Sequence, residues 1–197
     1  MGGCEATQKI RVKEQFKELP IIALMVFEEH SWDQVNLFTY NASIITLGYF
    51  MTYSIYLSGE IHSNWREQIQ IGLESHHLDT KIYSPVTDHE DSDNVGIDIL
   101  GAEDKPFWKD HKAAKINALR TTTLIKRADF VVVRFGDKYR QWNAAFDAGL
   151  AIGLGKALIT LHAPELTHAL KEIDGAALAV TETPQQVVDI IKYISQA

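Results

Sequence analysis

The sequence predicts an α/β protein, a flavodoxin-like, doubly wound sheet of five parallel strands with helices on both faces. Three observations carry this. From residue 51 onward, short segments rich in β-branched and aromatic residues alternate with segments of helical spacing. The stretch DFVVVRFG at 129–136 has the unbroken apolar run of a strand buried on both faces. Finally, 197 residues with 46% apolar and 23% charged side chains suffice for one sizeable core and match an ordinary globular composition.

The elements follow in order. YSIYLSG at 53–59 alternates as a strand does, and HSNWREQIQIGLESHH at 62–77 then places Trp65, Ile69 and Leu73 at helical spacing. KIYSPV at 81–86 is a second short strand. A polar segment dense in Asp and Glu, Thr87 to Lys105, is expected as a solvated loop covering the binding cleft. A long helix from Phe107 to Ala128 leads into the Val-rich strand, and QWNAAFDAGLAIGLGK at 141–156 is the next helix. ALITL (157–161) and GAALAV (175–180) are strands flanking a helix in PELTHALKEI (164–173). TPQQVVDIIKYI closes the chain as a helix with Thr183 as cap and Pro184 in its first turn.

Bulk properties narrow the function. A formal net charge of −7, with Lys and Arg scattered rather than clustered, argues against binding a nucleic acid polymer. Cys4 is the only cysteine, which excludes an intrachain disulfide and suits a reducing, cytoplasmic home. The opening Met-Gly-Gly-Cys-Glu-Ala has Ala6 where a myristoylation signal needs Ser or Thr. Asn36 to Leu57 carries no charge, yet Asn36, Thr39, Asn41, Ser43, Thr46, Thr52 and Ser54 interrupt it and no basic cluster flanks it, so no membrane span is expected. Residues 1–50 thus read as an N-terminal extension of unassigned role, and 51–197 as one domain.

In doubly wound sheets, ligands bind beyond the carboxyl ends of the strands. That rule singles out LSGEIHSNWR after the first strand and RFGDKYRQWNAAFD after the Val-rich one, the latter containing Gly136. In the helix from Gln141, the small residues Ala144, Ala145, Ala148, Gly149, Ala151 and Gly153 suggest close packing on the sheet, although a glycine inside a helix costs about 1 kcal/mol relative to alanine. Asp147 interrupts that run. It shares one helix edge with Asn143 and Arg140, at spacings of four and seven, next to a helix N-terminus that favours anionic groups.

YSIYLSGEIHSNWREQI and KRADFVVVRFGDKYRQWNAAFDAGLAIGLGKALITL, with the distance between them, resemble the nucleoside 2-deoxyribosyltransferase superfamily and most closely its YtoQ branch, from Met51 to about Ser195. Ala128, Asp129, Asp147, Gly149, Gly155 and Lys156 occupy matching places. The resemblance implies a carboxylate nucleophile, here Asp147, that attacks the anomeric carbon of a nucleoside or nucleotide, releases the base and leaves a glycosyl ester for a second base or water to resolve. It implies a pocket floored by Tyr56, Ser58 and Gly59, with Glu60, His62, Trp65 and Arg66 just beyond and Asn117, Arg120, Gly136, Trp142 and Asn143 as further substrate contacts. It also implies a small-molecule partner, no cofactor and a homo-oligomer.

Three features depart from the family pattern, one being the loop before the nucleophile, usually Asp-x-Gly-Thr, which here reads Arg140-Gln141-Trp142-Asn143. The family nucleophile is glutamate, so Asp147 reaches shorter by about 1.5 Å, one carbon–carbon bond. Where the family has a second acid before the Ala-Asp strand, this chain has Thr121 with Asn117 and Arg120 nearby. An alternative function is therefore a nucleotide-binding protein on the same fold with weak or no chemistry. The plain alternatives at single residues are an exposed helix face for Asp147, packing for Trp65 and Trp142, and solvated surface for Arg66, Arg120, Arg134, Lys138 and Arg140. The acidic segment lacks the ligand spacing of a calcium loop, and His76, His77, His89 and His111 form no two-histidine zinc motif, so no metal is expected.

Overall fold

The computed structural model describes residues 52–136 and 141–196. The expected extension at 1–50, together with Lys138 and Arg140, lies outside them. The order of elements is β1 (Tyr53–Gly59), α1 (Trp65–Ser75), β2 (Thr80–Tyr83), α2 (His89–Leu100), α3 (Pro106–Arg127), β3 (Phe130–Phe135), α4 (Trp142–Gly153), β4 (Ala157–His162), α5 (Thr167–Ala176), β5 (Ala179–Thr181) and α6 (Pro184–Ile194). A 3₁₀ turn at Pro164–Leu166 precedes α5.

All strand pairs are parallel and the sheet order is β2-β1-β3-β4-β5, the flavodoxin-like arrangement. Strand alternation sorts the core into two halves. Ile55, Leu57, Val132, Ile159 and Leu161 face α1 and α6, where Trp65, Ile69, Leu73, Val187, Val188 and Ile191 meet them. Tyr56, Val131, Val133, Phe135 and Leu158 point the other way, toward Ile125 of α3 and Ala144, Ala148 and Ala151 of α4. The chain order reverses between β1 and β3, so the segments leaving those neighbouring strands diverge and open a crevice at their carboxyl ends.

Two expectations change. The acidic segment Thr87–Lys105 is not a loop, because its centre folds as α2. Asp88 caps that helix by accepting the Asp91 N–H at 3.0 Å, Glu90 and Asp91 complement the helix dipole in the first turn, and Gly101 ends it at φ 87°. α2 hides from periodicity because it is mostly solvated, and its one buried residue is Gly96, where any β-carbon would collide with the Lys112–Ala113 backbone of α3. The strand expected over 175–180 shortens to Ala179–Thr181, since Gly175 and Ala176 complete α5.

α4 also packs differently from expectation. Ala144, Ala148 and Ala151 press against the sheet as foreseen. Gly149 and Gly153 do not, for a β-carbon at either would meet nothing within 4 Å among the described residues. At 100° per residue the alanines fall on the inner face and the glycines on the opposite one.

Candidate active site

β1 delivers its last residues to the crevice with period-two alternation, so Tyr56 and Ser58 share the face that looks toward α3 and α4. Ser58 is buried, and its hydroxyl donates a hydrogen bond to Oδ2 of Asp147. α4 carries Asp147 one position before the sheet-facing Ala148, which leaves the residue only 8% exposed. Burial pushes its pKa above the ordinary aspartate value, and the Ser58 bond opposes part of that rise. Beneath them Tyr56 is fully buried, with its hydroxyl donating to Oγ1 of Thr121 at 3.3 Å. Burial pushes the phenol up to about 12, so it stays protonated at any physiological pH.

The turn after β1 is built around Glu60. Burial alone would favour its neutral form, but the Ser63 hydroxyl at 2.5 Å, the His62 backbone N–H and the Arg134 guanidinium at 3.4 Å together hold the carboxyl below its usual range. Gly59 permits the turn, with φ of 102° and Arg134 carbonyl so close that a β-carbon has no room. Arg66 locks the turn from behind. It donates to the carbonyls of Leu57 at 3.1 Å, Glu60 at 2.6 Å and Gly59 at 3.0 Å, and its guanidinium lies 4.5 Å over the Trp65 ring. Burial lowers its pKa to about 10. The Trp65 indole N–H donates to the Glu60 carbonyl at 2.7 Å.

A cleft of about 830 Å³ opens over Asp147, lined by the turn at 58–62, the entry and first turn of α2, one face of α3 and the first turns of α4. Such a volume suits a molecule of nucleoside size. Of the residues singled out in the sequence, Ser58, Gly59, Glu60, His62, Asn117, Arg120, Trp142, Asn143 and Asp147 line it. Tyr56 sits below its floor. Trp65 and Arg66 stand behind the turn, where they hold its backbone rather than face a ligand. Gly136 lies against the Glu60 side chain, where a β-carbon would displace it.

The charged and polar groups differ in how far they are committed. Asn117 donates to the Ser92 carbonyl at 3.0 Å, tying α3 to α2, and Arg120 donates to the Ser84 carbonyl at 2.6 Å, tying α3 to the end of β2. Sequence reasoning missed what α2 and the start of α3 contribute to the walls: Asp88, His89, Ser92, Asp93 and Asp110. The signal available was Asp88 as a helix cap ahead of Glu90 and Asp91. His89 and His62 approach each other at the mouth, with ring centroids 6.2 Å apart. Among the described residues no group of three or more His, Cys, Asp or Glu is placed to hold a metal, and no helix is long and apolar enough to cross a membrane.

Comparison with known proteins places residues 56–195 on the family model described as nucleoside 2-deoxyribosyltransferase YtoQ. The uncharacterised protein YtoQ of Bacillus subtilis strain 168 is 43% identical over 144 residues, which cover 73% of this chain and 97% of that protein. Among solved structures, a 2-deoxyribosyltransferase from Bacillus psychrosaccharolyticus aligns with a TM-score of 0.44 and 19% identity, covering 68% of this chain and 90% of the other. A conserved protein from Enterococcus faecalis V583 aligns with a TM-score of 0.48 and 17% identity, covering 73% and 99%.

Proposed function

The chain belongs to the nucleoside 2-deoxyribosyltransferase YtoQ family, and from that premise we propose that it breaks the N-glycosidic bond of a nucleoside or nucleotide, by base exchange or hydrolysis, with Asp147 as nucleophile. One observation carries the reading: a buried aspartate, its carboxylate held by Ser58, on the wall of a cleft at the crevice where the sheet's strand order reverses.

In the first step an oxygen of ionised Asp147 forms a bond to the anomeric carbon while the carbon–nitrogen bond breaks, and its electron pair leaves with the base. The departing base takes a proton from the cleft or from water. In the second step a new base or a water attacks the same carbon and gives up a proton to the cleft or to bulk water, the ester breaks, and the Asp147 carboxylate is regenerated. Desolvation suits both halves, since a poorly hydrated carboxylate is the better nucleophile and stabilises oxocarbenium charge more strongly. On this reading Glu60, His62 or Asn143 orients the sugar, and Gly59, Asn117, Arg120 and Trp142 line the remaining walls. Tyr56, Trp65, Arg66 and Gly136 support this surface from below and behind. The same reading takes the working form to be a cytoplasmic homo-oligomer that needs no cofactor.

The test is release of free base from purine and pyrimidine nucleosides and their 5′-monophosphates, followed by chromatography, with Asp147→Asn as control. Turnover by the wild type and its loss in the variant are expected. Turnover that survives Asp147→Asn overturns the nucleophile. A second reading, binding without efficient chemistry, rests on Thr121, whose hydroxyl accepts from Tyr56 where the family carries a second acid. It wins if no compound is cleaved while one of them raises the melting temperature.

A further inference from the structure

The charges lining the cleft are unequal. Five carboxylates, Glu60, Asp88, Asp93, Asp110 and Asp147, share its walls with one guanidinium, Arg120, itself tied to the Ser84 carbonyl at 2.6 Å. Arg134, which is not part of the lining, offsets Glu60 at 3.4 Å. Asp88, Asp93 and Asp110 come from the entry to α2, from α2 itself and from the start of α3, and among the described residues none of the three forms a salt bridge with Lys or Arg. His62 and His89 add positive charge at the mouth only when protonated. A cleft walled by one sign of charge concentrates ligands of the other, by about tenfold or more. The whole chain, at −7, adds to that field.

The floor makes a second, independent demand. When the bond from the anomeric carbon to an uncharged base breaks, the electron pair leaves with the base, which must gain a proton. The side chains around Asp147 are poor sources of one. The Ser58 hydroxyl is committed to Asp147, and burial holds the Tyr56 proton up to about 12 while its hydroxyl donates to Thr121 at 3.3 Å. Against the effect of burial, Ser63, the His62 backbone N–H and Arg134 keep Glu60 ionised. A base that already carries a positive charge needs no proton, because its ring nitrogen takes the electron pair and departs neutral. In the cleft the same cation stabilises the ionised form of buried Asp147, the form the proposed attack requires.

We propose that the cleft selects and cleaves unphosphorylated nucleosides whose base is a fixed cation, a pyridinium or an N-alkylated purine ring. This rests on the glycosidic-bond reading above and names its substrate class. An Asp147 oxygen bonds to the anomeric carbon, the carbon–nitrogen bond breaks, and its electron pair neutralises the ring nitrogen. Water then attacks the same carbon and the ester breaks, so the products are neutral base, free sugar and one proton passed to bulk solvent. A 5′-phosphate brings charge of the same sign as the walls and is disfavoured.

Steady-state release of free base by the full chain tests this, with nicotinamide riboside, nicotinamide mononucleotide and uridine as probes, each in ribo and 2′-deoxyribo form. kcat/KM for nicotinamide riboside is expected to exceed those for its 5′-phosphate and for uridine by about tenfold or more. It should fall as NaCl rises from about 50 to about 500 mM, since salt screens the walls. Asp93→Asn/Asp110→Asn, at two exposed positions, is expected to lower the preference for nicotinamide riboside over its 5′-phosphate by about threefold or more. Should that variant melt early, the salt dependence of the wild type decides by itself. The 5′-phosphate or uridine cleaved as well as nicotinamide riboside overturns the proposal and leaves glycosidic-bond cleavage standing. A preference that neither salt nor the double variant moves belongs to the leaving group alone and overturns selection by the walls. No cleavage of these probes or of the purine and pyrimidine nucleosides and their 5′-monophosphates overturns both readings together.

Discussion

The Ser58 hydroxyl hydrogen-bonds the Asp147 carboxylate across 89 residues of sequence, joining the end of β1 to the middle of α4 inside the fold. The bond fixes which way the carboxylate points and offsets part of the cost of burying its charge. In Ser58→Ala the charged form loses that support, so the Asp147 pKa rises further. In the proposed mechanism only ionised Asp147 attacks, so the acid limb of the kcat/KM profile should move to higher pH. The loss of a hydrogen bond to a charged group, about 1.5–3 kcal/mol, corresponds to a fall of about tenfold to hundredfold at neutral pH. A pH–rate profile of the variant checks both, and an unmoved acid limb contradicts the assignment.

Asp147→Asn should make the protein more stable at neutral pH while abolishing turnover. The folded state raises the Asp147 pKa, so it binds a proton more tightly than the unfolded chain, whose aspartates titrate near about 3.9. Stability from this group is therefore fully present below that unfolded value and is lost as pH rises through the folded one. The neutral amide escapes the loss. Thermal melts of variant and wild type should differ at pH 7 and converge as the pH approaches 4.

How much of this was legible in the sequence follows from where each element finds its partners. Thr183 announces α6 locally, through a hydroxyl that accepts the Gln186 N–H and a Gln186 side chain that returns the bond. The Val131–Val133 run announces β3 because both its faces are buried. α2 gave no such pattern, since Gly96 is its one buried residue and its acidic surface resembles a solvated loop. In the site, Asp147 could be picked out as a charge among small residues, and Ser58 by its place at a strand end. The roles of Trp65 and Arg66 could not, because aromatic and guanidinium groups after a strand serve ligand and backbone equally well. Only the three carbonyls around Arg66 decide between them. The outward turn of Gly149 and Gly153 was hidden for another reason. A run of small residues says that something comes close, but the helical phase says which of them face the sheet.

Gly59 and Gly136 look alike in the sequence and should respond differently to alanine. At Gly59 the positive φ and the rigid Arg134 backbone leave no escape, so Gly59→Ala should force β1 from β3 and destabilise by about 2–4 kcal/mol. At Gly136 the obstacle is Cγ and Cβ of Glu60, so that side chain must shift and give up part of its hold on Ser63, the His62 N–H and Arg134. Gly136→Ala should therefore cost about 1–3 kcal/mol and also raise KM, since Glu60 leaves its place at the cleft wall. Denaturant titration and steady-state kinetics on the two variants separate the cases, and a Gly136→Ala variant that loses stability with an unchanged KM would refute the displacement of Glu60.

Arg66→Lys should behave as a backbone lesion. The guanidinium serves three carbonyls from one plane and lies over the Trp65 ring, whereas an ammonium is a point donor that cannot span them. Buried carbonyls would lose donors at about 1–3 kcal/mol each where no water replaces them. The variant should melt several degrees lower and lose kcat as the Glu60 turn loosens. Its affinity for a phosphorylated ligand relative to the matching nucleoside should stay the same. A selective loss of the phosphorylated ligand would show instead that Arg66 faces it.

Asp174 offers a test of stability apart from the site. One carboxylate oxygen accepts the Thr160 hydroxyl at 2.8 Å and the other lies 3.0 Å from Nε2 of His162, pinning α5 to the buried end of β4. The His162 ring is nearly inaccessible, and its other nitrogen meets the Ala163 carbonyl at 2.8 Å. Asp174→Ala leaves a hydroxyl and a ring nitrogen buried without their acceptor, a loss of about 2–4 kcal/mol. In a domain of this size each kcal/mol lowers Tm by about 2–4 °C, so a fall of about 4–16 °C is expected. None of the three residues lines the cleft, so KM measured below the new melting point should match the wild type. A variant with unchanged Tm would mean that the pair rests on alternative acceptors. One with intact Tm but altered KM would place α5 in contact with the ligand, contrary to the arrangement described.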